Sequence, residues 1–124
     1  MCYYWAMTIR LEEYVREGGD IPYRTWFDGL DVQAAAKVTV AKARLELGNT
    51  SKVEWFRGIG EYKIDWGPGY RIYLAKDGEQ LIILFGGSTK KEQQKAIDLA
   101  VLLHIEYKAR KKAATAATKK GNRL

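Results

Sequence analysis

From Met7 to Val15 apolar and polar residues alternate loosely, the two-residue period of a strand with one buried face, and the run stops at Gly18-Gly19-Asp20. Pro22 then stands where a helix accepts proline, in the first turn, where a backbone N–H would have no intrahelical partner. Residues 21–30 therefore read as a short helix with Trp26, Phe27 and Leu30 on one side. Asp31 is placed to cap a second helix over 32–47, in which Ala36, Val40, Ala43 and Leu47 recur at helical spacing. Gly48-Asn49 closes that helix as a left-handed cap does, and the two helices form a hairpin. After a loop through Lys52 come three extended segments, 61–66, 70–76 and 80–85. Gly67-Pro68-Gly69 and Asp77-Gly78 supply the turns between them, giving an antiparallel meander. Gly86-Gly87 closes the third strand, and 92–107 returns to helical spacing at Ala96, Leu99, Ala100, Leu103 and Tyr107.

The order strand, helix, helix, three strands, helix predicts an α+β domain with its helices on one face of an antiparallel sheet. A chain of 124 residues, 47% of them hydrophobic, can bury one core. Apolar runs such as 81–85 fall far short of the roughly 18 residues that span a bilayer. The N-terminus has neither a basic region nor a small-residue cleavage site, so a soluble, cytoplasmic protein is expected, with no membrane partner. Cys2 is the only cysteine, which excludes an internal disulfide and a cysteine-based metal cluster.

Charge refines this outline. The formal net charge is +6, but fourteen basic residues face fifteen acidic ones up to Tyr107, and seven basic residues with no acidic one follow it. The positive excess thus lies at the C-terminal end. Past Ala113 the sequence becomes a mixture of Ala, Thr, Lys, Gly and Asn, so residues 1–112 are expected to form the single domain and 113–124 a basic, flexible tail. Such an arm either engages a polyanion or only solubilises the end, and composition leaves both open.

Several catalytic classes are excluded. His104 is the sole histidine and sits in a helical pattern, so no histidine cluster for a metal can be built and a histidine-based nucleophile relay is not expected. Gly58-Ile59-Gly60 and the segment from Gly86 to Lys90 both lack the spacing of a phosphate-binding NTPase loop. No metal or other cofactor is expected. What remains is a group of cations and aromatic rings on the meander. Strand alternation sets Glu61, Lys63 and Asp65 on one face and Tyr62, Ile64 and Trp66 on the other; Arg71 and Tyr73 likewise oppose Tyr70, Ile72 and Leu74. If the polar faces coincide, Lys63, Asp65, Arg71 and Tyr73 share an open sheet surface that Lys90 and Lys91 reach from the end of the third strand. That surface suits single-stranded RNA, with Lys52, Arg57 and Lys95 as further phosphate contacts and Tyr73 as a ring for an unpaired base. The same alternation also describes a solvated charged face. Metal-free RNA cleavage needs a base for the 2′-hydroxyl proton, cations for the phosphorane and an acid for the 5′-oxygen. Lysine and arginine can fill these roles when neighbouring cations lower a lysine pKa.

The stretch Glu61-Tyr62-Lys63-Ile64-Asp65-Trp66-Gly67-Pro68-Gly69-Tyr70-Arg71-Ile72-Tyr73, the strand ending in Gly86-Gly87, and Lys90-Lys91-Glu92-Gln93-Gln94-Lys95 together resemble the phage-related HigB-type branch of the RelE/ParE toxin superfamily, the addiction module killer proteins. Trp26-Phe27-Asp28-Gly29-Leu30 and Arg44-Leu45-Glu46-Leu47-Gly48-Asn49 share the likeness, which extends from about residue 8 to about residue 110. The resemblance implies a RelE-like fold with a curved sheet and a toxin of a type II toxin–antitoxin pair. It implies an enzyme that cuts mRNA in the ribosomal A site, against ribosomal RNA, and a helix-turn-helix antitoxin of the HigA type as partner. Alternatives within or near the superfamily are a ParE-like gyrase inhibitor and a non-catalytic RNA-binding module. By the same resemblance Arg71 matches the arginine that stabilises transition-state charge, Lys63 a base or phosphate ligand, and Lys90 or Lys91 the cation after the third strand. Asp65 stands where RelE carries a second lysine, and RelE's terminal catalytic tyrosine has no match, since Tyr107 is too far along its helix.

Overall fold

Five strands and three α-helices organise residues 8–121, which the computed structural model describes; Cys2, Met7 and the last three residues of the expected tail lie outside the described residues. The order is β1 (Arg10–Glu13), α1 (Pro22–Asp28), α2 (Val32–Glu46), β2 (Val53–Phe56), β3 (Ile59–Ile64), β4 (Tyr70–Lys76), β5 (Leu81–Ser88), a 3-10 turn (Lys90–Glu92) and α3 (Gln93–Gly121). The sheet runs β1-β5-β4-β3-β2, with β1 parallel to β5 and every other pair antiparallel. The chain is thus α+β. None of its described helices is long and apolar enough to cross a membrane.

The local signals act as their chemistry requires. Pro22 opens α1, the Asp31 side chain accepts from Ala34 N–H at 2.8 Å to cap α2, and Gly48 leaves α2 at φ +85°. The sheet has one strand more than the pattern predicts. Val53-Glu54-Trp55-Phe56 is too short to show a period and leaves Trp55 46% exposed. It turns into β3 through Arg57 (φ +52°) and Gly58 (φ +82°), between the paired residues Phe56 and Ile59. Two positive-φ residues make the hairpin turn that matches strand twist, but arginine at its first position is not a usual sequence signal for it.

The expectation of helices on one face is corrected, because both faces of the sheet are covered. Tyr62, Ile72, Leu74, Ile82 and Leu84 pack with Tyr23, Val38, Ala41 and Leu45 on the α1–α2 side. Ile59, Tyr73, Ala75, Ile83 and Phe85 pack with Ile97, Ala100 and Leu103 of α3 on the other. The central strands alternate between two apolar faces, which is how a sheet buried on both sides is built. In α2 the expected stripe is also displaced. Ala34, Val38, Ala41 and Leu45 face the core, whereas Val40 and Leu47 are 50% and 70% exposed. Two sets of small apolar residues offset by two positions have the same helical spacing, and two residues rotate a helix by about 200°.

Gly86-Gly87 does not end the third meander strand. Tyr73 pairs with Gly86 but Leu74 with Leu84, so Phe85 is an extra residue, a β-bulge. Without the bulge Ser88 would face α1 and α2; with it Ser88 joins Arg71 and Tyr73 on the α3 side. Gly87 is required sterically, since a Cβ there would lie 2.3 Å from the Trp26 ring. Beyond Tyr107 the helix continues through Gly121, over residues that the sequence assigned to the tail, and its side chains from Lys108 to Lys119 are exposed.

Candidate functional site

The β3–β4 hairpin fixes the centre of the site. Its turn uses Gly67 at φ +57° and Gly69 at φ +77°, and its register opposes Lys63 to Arg71 and Glu61 to Tyr73. Opposed residues project to the same face, so these four side chains all point towards the start of α3. The backbone N–H of Lys90 reaches the Pro68 carbonyl at 3.4 Å, and the Lys90 Cβ lies 3.7 Å from where a Cβ on Gly69 would stand. Lys63, Arg71 and Lys90 are thereby gathered at one end of the hairpin. Exposed Asp65 lies at the end of β3, and exposed Lys91 lies in the same 3-10 turn as Lys90.

The expected open surface is corrected by burial. Arg71 is 7% exposed, Glu61 1% and Tyr73 0%, because the first turns of α3 cover this part of the sheet. Arg71 donates from Nη1 to the Gly69 carbonyl at 2.5 Å, tying the guanidinium to the turn. Its Nε lies 3.7 Å from Glu61 Oε2, an ion-pair contact but not a hydrogen bond, and that N–H has no hydrogen-bond partner. Glu61 Oε2 accepts from Gln93 Nε2 at 2.9 Å, and the Tyr73 hydroxyl lies 3.0 Å from Ser88 Oγ. Burial pushes the Tyr73 phenol up to about 12, so it stays neutral. Tyr73 is therefore part of the core and is not placed to stack on a base. Its aromatic character carries no information about accessibility, which α3 decides.

The remaining candidates divide by position. Lys63 is exposed, with Nζ 3.6 Å from Glu54 Oε2 across the β2–β3 pair. Lys52, just before β2, joins Lys63 and Asp65 in lining a cleft against α2. Lys95 is exposed in the first turn of α3. Arg57 is not brought to the site: it occupies the β2–β3 turn, at the far end of β3 from Gly67, and pairs with Asp98 at 3.1 Å. Glu61, Ser88 and Gln93 are the residues that the sequence does not single out. Glu61 is legible only as a face-mate of Lys63, and Ser88 depends on the bulge.

His104 is held against Phe85, with ring centroids 5.7 Å apart, and burial and then Lys108 lower its pKa. It lies near the middle of α3, beside Gly58 of the β2–β3 turn and apart from the β3–β4 turn, in keeping with a structural role.

In comparisons with known proteins, no family model and no solved structure matches the chain. A protein of Haemophilus influenzae, described as uncharacterized, is 36% identical over 88 residues, covering 69% of this chain and 89% of its own length.

Proposed function

The chain belongs to the same family as that Haemophilus influenzae protein, a membership that names no chemistry, and from the chain's own residues we propose that it is a toxin of a type II toxin–antitoxin pair acting as a metal-independent mRNA endonuclease on the ribosome. One observation carries the reading: Lys63 and Arg71 oppose each other across the hairpin while Lys90 is held against its turn, so three cations from three segments are gathered at one end of the hairpin, with exposed Asp65 at the end of β3. The RelE/HigB likeness gives roles to Lys63, Arg71 and Lys90 or Lys91 but none to Asp65, which stands where RelE carries a lysine, and the α+β order of elements, with β2 added, is compatible with it.

The reaction such a cluster supports is transphosphorylation. Asp65 or Lys63 removes the 2′-hydroxyl proton, the 2′-oxygen bonds to the adjacent phosphorus, and the bond from phosphorus to the 5′-oxygen breaks. A lysine ammonium protonates the departing 5′-oxygen, leaving a 2′,3′-cyclic phosphate and a 5′-hydroxyl. Lys63 and Lys90 meet the charge growing on the phosphorane, and Arg71 acts from beneath through a low-dielectric layer, where its field is weakly screened. A helix-turn-helix antitoxin of the HigA type is the expected neutralising partner, and ribosomal RNA the docking surface.

Induced expression of the wild type is expected to arrest growth, and Lys63→Ala/Lys90→Ala to relieve the arrest at an unchanged protein level. Both side chains are exposed, so the fold should survive. Arrest that persists in this variant, or arrest accompanied by loss of gyrase supercoiling with mRNA intact, contradicts the proposal.

A further inference from the structure

A second cationic feature adjoins the hairpin on the α2 side. A cleft of about 260 Å³ lies between α2 and the end of β3, with Lys37, Arg44 and Lys52 around it and Lys63, Asp65 and Trp66 at its margin. Lys37 lies 5.7 Å from the centroid of the Trp66 ring, which stacks on Tyr70 at 6.1 Å. Lys37, Arg44 and Lys52 make no ion pair among the described residues. Several cations elsewhere are matched: Arg16 with Glu106, Arg24 with Glu13, Arg57 with Asp98 and Lys111 with Asp77.

The Lys63 side chain lies on the other face of β3 beside Glu54, which leaves a mutual repulsion among the three cations on this concavity, Lys37, Arg44 and Lys52. An anion in the cleft relieves it. The cleft is too small for a duplex groove but has room for a phosphodiester and its sugar, with an aromatic wall beside it. That combination is the one that grips single-stranded nucleic acid. Lys63 and Asp65 line the margin of the cleft while the Lys63 side chain projects from the other face of β3 towards the hairpin centre, so a strand passing over this edge runs from one to the other.

We propose that the cleft is the phosphate subsite for single-stranded RNA, with Lys37, Arg44 and Lys52 holding the strand beside the Lys63–Arg71 centre. This rests on the reading of the chain as a protein that acts on RNA, and it adds where the strand is held.

The test is fluorescence anisotropy with a short, labelled single-stranded RNA across a salt series. The variants are Lys37→Ala/Arg44→Ala/Lys52→Ala and a charge-matched control on the exposed face of α3, Lys108→Ala/Lys112→Ala/Lys119→Ala. The cleft variant should bind about tenfold or more weakly and flatten the salt slope by up to about 2, given about 0.7 per phosphate contact on single strands. The control should change affinity much less, and both should melt like the wild type. Wild type that binds no RNA, a cleft variant that binds as the wild type does, or a control that loses as much all overturn the subsite. Cleavage on ribosomes is scored separately. If the cleft variant loses RNA while the wild type cleaves nothing, the subsite stands and the endonuclease reading falls. The converse result leaves the endonuclease reading and removes the subsite.

Discussion

Arg71→Ala removes a guanidinium whose side chain is 9% exposed and leaves behind the Glu61 carboxylate, 2% exposed. Glu61 then keeps the hydrogen bond from Gln93 but loses the cation 3.7 Å away, and the Gly69 carbonyl loses its donor. Removing one partner of a buried ion pair costs about 3–5 kcal/mol, and the long contact and the surviving Gln93 bond favour the lower end, about 3 kcal/mol. For a domain of this size about 4 °C of melting temperature accompanies each kcal/mol, so a fall of about 12 °C is expected. The assay is thermal denaturation at neutral pH, followed by circular dichroism, on the wild type, Arg71→Ala, and Arg71→Ala/Glu61→Gln. The double variant carries no stranded charge and should recover a substantial part of the loss. A single variant that melts within about 3 °C of the wild type, or a double variant no more stable than the single one, refutes the argument that Arg71 is structurally coupled to Glu61. It follows that lost activity in Arg71→Ala means little unless its fold is measured alongside.

Asp77 accepts hydrogen bonds from Lys111, at 2.6 Å and 2.7 Å, and from Tyr107, and these hold its carboxyl below the usual aspartate range. A depressed folded-state pKa gives stability that is present above the unfolded value and lost as pH falls through the folded one. Asp77→Asn should thus lower the melting temperature at neutral pH, with the difference from wild type closing in acid; a gap that persists there contradicts the assignment. Gly87→Ala drives a Cβ into the Trp26 ring and should cost about 1–3 kcal/mol in chemical denaturation. In a Trp26→Leu background the same change should cost much less, and equal costs in both backgrounds would show that the ring is not the obstacle. Tyr73→Phe strands buried Ser88 Oγ and should cost about 1–3 kcal/mol while leaving RNA affinity unchanged, whereas weakened RNA binding would show that the phenol is reachable.

Local chemistry was legible where a few adjacent residues determine the outcome. Pro22, Asp31, Gly48 and the Gly67-Pro68-Gly69 turn each act through their own backbone conformation or hydrogen bonding, and strand alternation correctly put Lys63, Arg71 and Tyr73 on one face. What it did not reveal was whether that face is covered. Ile59, Tyr73, Ala75, Ile83 and Phe85 form an apolar strip that becomes evident only when the register of three strands is known, and α3 then closes over it. Likewise the α2 stripe was ambiguous because Ala and Val occupy nearly the whole circumference, so helical spacing alone cannot choose a side. Ser88 was illegible for a third reason: one extra residue at Phe85 reverses the face of every position after it.

The most direct test of the central claim is primer extension on mRNA in programmed ribosomes, with the purified wild type and Lys63→Ala/Lys90→Ala side by side. Breaks are expected within the A-site codon only when both ribosomes and wild-type protein are present, with 2′,3′-cyclic phosphate at the new ends and strongly reduced breakage with the double variant. Intact mRNA with the wild type, or equal cleavage by the variant lacking both exposed lysines, would contradict it.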